Sequence, residues 1–519
     1  MPVSSYHSES SSRSSRRGPE RPRPQPPAFA LYRWLDGASA LLIVAVILWG
    51  PWSFGCTPRW AIEVHNYLGY ALGGLLLLKV LLRRANPALL RDRLVRPNWL
   101  DTGLVLLSVL LLLYTFTSAW NARLTSHPGS WKLSYRDAVT WLPHSFDQVS
   151  SWRAFALYLG LAGFFWAVRD WIRYPPPARN RDKFLHDDDS LLPRRVRILL
   201  WILCLNGTLL AIQGIAQRVS GSNQLLWLLT PRINKTPDSQ FGPYAYRANA
   251  AQYFNLVWPV ALGLWWTYRR PTQRRSSREH PAARPDDPSP PATGPRSQRG
   301  HLLLSCVLLM AVCPIVSTSR GGAIIMVGLA VMALAILGSA LWRSSWASKL
   351  ALLSLLTGMV GMGVLLGWEE LGPRMEMLEQ GYEQREAMFE TGRRMAADSP
   401  VFGTGPGTFD YLYQFYRRSD AEYWPAQMHN DWLELQITFG AVGLGLLLTA
   451  LALALGRWFA RGGLPGEKHF VLLTWCALGG CLLHARFDFP FQITSLVALF
   501  LFLCAVLSCL SRPNRQLAA

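Results

Sequence analysis

Arg320 stands in Ser317-Thr318-Ser319-Arg320-Gly321-Gly322, between two apolar runs with almost no loop. A helix starting at these glycines points free backbone N–H groups and the positive end of its dipole outward. Gly321 and Gly322 let a ligand approach the backbone closely, and a guanidinium pairs bidentately with phosphate. That is the chemistry of a diphosphate seat at a membrane face; an arginine snorkelling at a helix end uses the same residues. Arg385 falls between Tyr382 and Phe389 on the apolar stripe of an amphipathic stretch, Met375–Ala397, whereas Arg394 projects to the opposite side. An inward arginine needs a partner, either a buried Glu or an anionic substrate. His429 lies in Met428-His429-Asn430-Asp431-Trp432-Leu433-Glu434, just before another apolar run. It suits a base near neutral pH or a hydrogen bond to backbone at a helix start. A metal site of His429, Asp431 and Glu434 fails on spacing, because no second His follows at i+3 or i+4. Arg247 precedes an apolar run in the same way. Gly403-Thr404-Gly405-Pro406-Gly407-Thr408 resembles a nucleotide loop, but Pro406 interrupts it and no strand precedes it, so it reads as a turn. Arg486 and Asp488 read as an ion pair at a helix hairpin.

The elements that position these residues follow from composition. Of 519 residues, 50% are apolar and only 16% charged, with 23 Trp and 22 Phe and a mean hydropathy of +0.14. Soluble domains carry about 25% charge, and a membrane helix needs about 20 apolar residues. Stretches of that kind recur at 35–52, 66–82, 99–120, 152–171, 196–217, 250–268, 301–318, 322–342, 350–367, 432–455, 469–485 and 490–510. The expected fold is an all-α polytopic membrane bundle of about 12 transmembrane helices, with a large outer loop at 369–431 carrying the amphipathic helix. A soluble enzyme, a collagen and a disordered chain are excluded. Residues 1–33 read as a disordered basic tail, 34–240 and 241–511 as two membrane regions, 269–300 as a flexible basic loop, and 512–519 as a short tail. With the N-terminus inside, 34 of the 52 Lys and Arg fall on inner segments and 16 on outer ones. The positive-inside rule therefore places both termini in the cytoplasm. The net charge of +20 is then topological, and the 269–300 loop, lacking interleaved aromatics, faces anionic lipid and not nucleic acid. Eight Cys without a CxxC pair give neither a zinc site nor a disulfide framework. No cleavable signal peptide is expected, since the first apolar stretch begins near Trp34 and many others follow.

In order along the chain, these motifs resemble the O-antigen ligase and polymerase superfamily of multi-spanning bacterial membrane proteins. The resemblance rests on Tyr246-Arg247-Ala248-Asn249, Ser319-Arg320-Gly321-Gly322, Arg385-x-x-x-Phe389, Asp398 to Phe409, His429-Asn430-Asp431-Trp432-Leu433, Phe439-Gly440-Ala441-Val442-Gly443 and Asp488-Phe489-Pro490-Phe491-Gln492. It covers roughly 240–500. It implies a GT-C-like bundle in the bacterial inner membrane with its site on the periplasmic side. The implied reaction moves a glycan from a polyprenyl (undecaprenyl) diphosphate carrier to an acceptor hydroxyl, inverting and independent of metal, with no cofactor. The implied partners are that donor, a lipid or glycan acceptor and membrane lipids. The implied catalytic residues are His429, Arg320 and Arg385; Arg247, Asn249, Gly321, Gly322 and Asn430 would bind the diphosphate or glycan. The superfamily includes ligases, polymerases and protein oligosaccharyltransferases, and these residues leave the acceptor open. Twelve spans with a long basic loop between the sixth and seventh also match a transporter layout. That layout predicts two similar halves with a mid-membrane site, whereas the candidate residues here gather at the outer face.

Overall fold

Inside hydrocarbon a backbone N–H or C=O has no water to bond, so a chain that crosses it closes its hydrogen bonds within helices or a barrel. The computed structural model describes residues 27–90, 99–126, 133–176, 192–269, 295–341, 346–418, 425–461 and 467–510, and among these the chain is mostly helical. The helices are α1 Pro27–Trp52, α2 Arg59–Ala85, α3 Trp99–Trp120, α4 Gln148–Arg173, α5 Arg194–Val219, α6 Arg247–Arg269 and α7 Pro295–Val316. They continue with α8 Arg320–Ala340, α9 Trp346–Glu376, α10 Leu378–Asp398, α11 Phe409–Tyr416, α12 Asp431–Arg461, α13 Lys468–His484 and α14 Thr494–Leu510. The tail at 512–519, most of the tail at 1–33 and most of the 269–300 loop lie outside the described residues.

A helix stands at each of the twelve apolar stretches, and α10 and α11 lie in the expected outer loop. By length and hydropathy alone, eight of them are apolar enough to cross a membrane: α1, α3, α4, α5, α7, α8, α9 and α12; α14 is apolar but shorter. The shortfall at α6 has a cause in its surroundings. Every residue from Ala248 to Tyr268 is buried, and α6 packs on α5, α7, α8 and α13. It meets protein rather than lipid, so it tolerates Asn249, Gln252 and Asn255.

The expectation of a purely helical chain needs one correction. Between α3 and α4 run β1 Ala122–Ser126, β2 Leu133–Tyr135 and β3 Ser145–Asp147, in the order β2-β1-β3. Leu124 pairs antiparallel with Tyr135 and parallel with Asp147. Each strand is too short for period-2 alternation to register in sequence; pairing between distant segments decides it.

Charges near the ends of spans find partners. Lys79 lies 3.1 Å from Asp36 and 2.8 Å from Asp170, while Arg83 pairs with Asp170 and Arg195 with Asp36. Asp101 takes Arg169, Arg173 and Arg457. Pairing of this kind is the condition on which ionised groups persist out of water. Where α2 meets α4 the backbones touch: a Cβ on Gly69 would stand 2.3 Å from Gly160 O, the close approach that small residues allow between membrane helices.

The decisive irregularity is in α12, which breaks at Gly440 (φ 58°, ψ −168°), a conformation open essentially to glycine alone. The break frees backbone groups on both sides, and the 399–408 loop supplies their partners. Thr404 N donates to Ile437 O (2.8 Å) and Gly405 N to Thr438 O (3.1 Å), while Ala441 N and Val442 N donate to Pro400 O and Val401 O. The Tyr114 hydroxyl lies 2.7 Å from both Phe402 O and Phe439 O. Phe146 N of β3 donates to Thr404 O on the far side of the same loop. The glycine-rich segment is thus a turn, as its sequence suggested, and it mends a broken helix.

Gly403 sits at φ +68°, and a Cβ there would lie 2.6 Å from Gly440 N and Thr438 C. Gly403→Ala should cost about 2–4 kcal/mol, seen as a lower melting temperature in detergent. Gly445→Ala, whose Cβ would meet nothing within 4 Å, should leave melting unchanged.

Candidate active site

The first turn of α12 begins at Asp431, where Asn430 Oδ1 accepts from Leu433 N at 3.3 Å and so caps the helix. His429, just before it, is held at φ +52°, a left-handed conformation uncommon outside glycine. That twist carries its imidazole onto the segment between α13 and α14. His429 Nδ1 lies 3.2 Å from Asp488 Oδ1. A carboxylate accepts only, so Nδ1 carries a proton, and in the neutral ring the lone pair is left on Nε2. The ring packs edge-on to Phe489 at 4.7 Å, and 26% of the side chain stays exposed, enough for a ligand to reach it.

Asp488 is the hub. Its Oδ2 accepts from the Tyr246 hydroxyl at 3.3 Å and lies 3.9 Å from His484 Nε2. Burial alone would raise this carboxyl, but the His429 hydrogen bond and the charges of His429, His484 and Arg385 outweigh it and hold it below the usual carboxylate range. Tyr246, stacked on Phe489 at 5.3 Å, is raised by burial and by the Asp488 charge, so it remains a proton donor. Arg385 of α10 donates to Phe487 O at 2.6 Å and also reaches the Tyr246 hydroxyl. Among the described residues it has no carboxylate within ion-pair distance. Of the two partners that the sequence left open for it, the buried Glu is therefore not present there.

The Arg320 end approaches the same hub from α8. Ser319 Oγ caps the helix by accepting from Gly322 N at 3.1 Å, so one of the expected free N–H groups is already used. Arg320 Nη1 donates to Arg374 O (3.2 Å) and Met377 O (2.9 Å), closing the C-terminal end of α9, where a cation is favoured. The glycines have a packing reason. A Cβ on Gly321 would stand 2.6 Å from His484 Nε2, and one on Gly322 would stand 2.3 Å from Ala251 Cβ. Gly322 O also accepts from Asn255 Nδ2 at 2.9 Å. Arg385 and His429 therefore meet one short segment, 484–489, and the helix that Arg320 starts packs against it through Gly321.

Arg247 and Asn249 lie to one side. Arg247 Nη1 contacts Asp238 Oδ2 at 3.2 Å, and Arg374 pairs with the same carboxylate. Asn249 is buried in the first turn of α6, its N–H bonded to Tyr246 O. Two sequence expectations are corrected. Arg486 is exposed and has no acidic partner among the described residues, because the turn after α13 swings it outward and spends Asp488 on the histidines and Tyr246. Arg394 is not a solvent-facing charge: it is half-buried, bonds Thr391 Oγ1 at 3.2 Å and lies near Tyr413 of α11. The exposed arginine of α10 is Arg393, paired with Glu386 at 2.7 Å. Of the expected stripe, Phe389 and Ala396 are buried. Among the described residues no group of three His, Cys, Asp or Glu is placed to hold a metal ion.

Residues 305–448 match the family described as O-Antigen ligase. That segment is similar to an O-antigen ligase domain, and the apolar helices mark an integral membrane protein. No curated protein matches the chain. The matched segment holds Arg320, Arg385, His429 and Asn430, while Arg247, Asn249, Tyr246, His484 and Asp488 lie outside it. The last three are the site residues that sequence reasoning left unassigned. The available signal was the four-residue spacing of His484 and Asp488, which puts both on one side of a helical turn.

A carboxyl held below its unfolded value of about 3.9 contributes stability that is complete above that pH and lost as pH falls through the folded value. The melting temperature of Asp488→Asn should therefore lie below wild type at pH 7, with the gap closing as the pH is taken below about 4.

Proposed function

We propose that this protein is a glycosyltransferase that moves an oligo- or polysaccharide from a polyprenyl diphosphate carrier to an acceptor hydroxyl at the outer face of the bacterial inner membrane. The observation that carries the reading is the His429–Asp488 pair set beside Arg385, with the glycine that follows Arg320 packed on His484.

The acceptor oxygen attacks the anomeric carbon while the bond from that carbon to the diphosphate oxygen breaks. The acceptor proton passes to His429 Nε2, and Asp488 holds the ring in the tautomer that can take it and stabilises the imidazolium that forms. The leaving diphosphate carries away the electron pair. Its growing charge is met by the Arg385 guanidinium and by the nitrogens of Arg320 that are not engaged at the end of α9. A diphosphate is already a good leaving group, so the reading invokes neither a strong general acid nor a metal. Attack opposite the leaving group inverts the anomeric centre. Arg247, tied to Asp238, orders Arg374 and the end of α9 and thereby helps to place Arg320. Gly321, Gly322, Asn249 and Asn430 act in this scheme by packing and capping around the site.

On this reading α2, α6, α13 and α14 complete twelve spans, both termini lie in the cytoplasm, and α10, α11 and the site lie in the periplasm. The packing of α2 on α4, of α13 on α6 and of α14 on α4 supports it. In a cysteine-free background of intact spheroplasts, Tyr411→Cys should react with an impermeant thiol reagent and Arg194→Cys should not. The reverse pattern would invert the topology and remove the reading with it.

With purified variants and carrier-linked glycan, Arg385→Ala and Arg320→Ala should each lower transfer by about 100-fold or more. Arg385→Lys should be nearly as poor, since an ammonium loses the planar fork. His429→Ala should retain donor binding and lose turnover. Arg393→Ala, on the exposed face, should transfer as wild type; a dead Arg393→Ala beside an active Arg385→Ala would sink the assignment.

A further inference from the structure

The outward stripe of α5 does not stop where the helix does. Ile198, Leu205, Leu209, Ile212 and Val219 are exposed along one face of the helix, and α5 is among the helices apolar enough to cross a membrane. From Ile198 to Val219 the stripe rises about 32 Å at about 1.5 Å per residue. That is close to a hydrocarbon core about 30 Å thick, so Val219 lies at its rim. Beyond Val219 the chain forms a compact loop whose tip is Leu225-Leu226-Trp227-Leu228-Leu229. Leu228 and Ile233 of this loop are 76% and 78% exposed, as open as Val219 at 80%.

We propose that this loop is a lipid-binding tab, seated in the headgroup region of the leaflet where α5 emerges, with anionic phospholipid as its partner. The first support is conformation. Leu225 N donates to Leu229 O at 2.8 Å and Leu228 N to Leu225 O at 2.9 Å, with Leu226 and Trp227 at φ 54° and 57°. In two-residue hairpin loops a central pair at positive φ is commonly Asn-Gly. Two bulky apolar residues take that uncommon conformation here, and the tip stays apolar as a result. The frame that displays them is held from inside. Buried Gln217 donates to Gln224 O at 3.0 Å, and buried Gln240 donates to Asn223 O and Asn234 O at 3.1 and 2.7 Å. Leu225 is buried against the body while its neighbours face out. The stem returns to Asp238, which pairs with Arg247 and Arg374.

The second support is the level of the indole. Trp227 Nε1 donates to Ser220 Oγ at 3.2 Å, so the ring lies beside the end of α5 with its N–H satisfied and its face exposed. An aromatic ring with one polar edge suits the membrane interface. The third is charge. Arg232 and Lys235 are exposed on the return limb of the loop. Attachment to a bilayer surface grows with the apolar area buried and with the attraction of Lys and Arg to anionic lipid. Continuity selects lipid over protein as the occupant. A protein covering the tip would also meet Val219 and the apolar stripe below it, which lipid already surrounds.

Depth-dependent quenching in liposomes tests this. Leu228→Cys and Ile233→Cys, each in a cysteine-free background, carry an environment-sensitive fluorophore. Ile212→Cys on the α5 stripe is the hydrocarbon reference, and Arg393→Cys on α10 is the water reference. At both loop positions acyl-brominated phosphatidylglycerol should quench at least half as strongly as at 212, and iodide at least fivefold less than at 393. Brominated phosphatidylcholine should quench the loop at least twofold less than brominated phosphatidylglycerol, and Arg232→Gln with Lys235→Gln should abolish that difference. Iodide quenching equal to that at 393 would place the tip in water. Shielding from both quenchers would place it against protein, a second copy included. Equal quenching by the two brominated lipids would remove the anionic partner. Each of these results overturns the proposal. If the cysteine-free chain does not fold, the unmodified protein decides. An acyl-diazirine phosphatidylglycerol should then label the peptide containing 219–235, and label at 205–212 without label there would overturn the proposal as well. Quenching depth needs neither glycan nor a choice of side, so it stands apart from the transfer reading.

Discussion

A membrane helix that breaks must have its freed backbone groups paired by something else, because hydrocarbon offers no partner. The break of α12 at Gly440 is the point on which much of this architecture depends. It shortens the first part of α12 to a half-helix, Asp431–Phe439, whose start carries Asn430 and His429. The pairing is supplied by the backbone of 399–408, so the loop between α10 and α11 is held as firmly as a strand in a sheet. Through Phe146 and Ser151 the small sheet and α4 are tied to that loop as well, Ser151 Oγ donating to Pro406 O at 2.8 Å. A defect in one helix thereby fixes the placement of four elements.

The second organising centre is electrostatic. Asp488 is buried and would resist ionisation were it alone; two histidines, a tyrosine and a nearby guanidinium make the charged form the favoured one. In return it fixes the His429 ring, places Tyr246 under it and draws the 485–491 segment against α10 and α12. Asp431 N bonds both Ala485 O and Asp488 O, so the half-helix and the hub hold each other. Phe491, whose N–H is spent on Asp431, packs its ring edge-on to Trp432.

Several features were legible from the residues alone because they depend on local composition. Runs of Leu, Val and Ala long enough to pair their own backbone in lipid had to be helices, and each of the twelve stretches is one. Ser319 before Arg320 and Asn430 before Asp431 are caps that their side-chain chemistry dictates. The Pro-interrupted glycine segment had to turn. Arg320, Arg385 and His429 could be singled out because each places a charge or a base at the edge of an apolar run, where solvation is costly and a partner is required.

What tertiary structure alone decided is which partner each of them has. Arg486 lies two residues from Asp488, yet the carboxylate goes to His429, 59 positions away, because the turn after α13 points the arginine outward. Arg394 looked like the solvent-facing contrast to Arg385, but α11 packs over it, and nothing within α10 announces α11. The glycines after Arg320 looked like room for a ligand, and they are needed for His484 and Ala251. The three strands were too short to leave a period. Composition fixes how a segment pairs its own backbone and whether it tolerates lipid. The partner of a buried charge is fixed by which distant segment stands within about 3 Å of it, and no local spacing carries that distance.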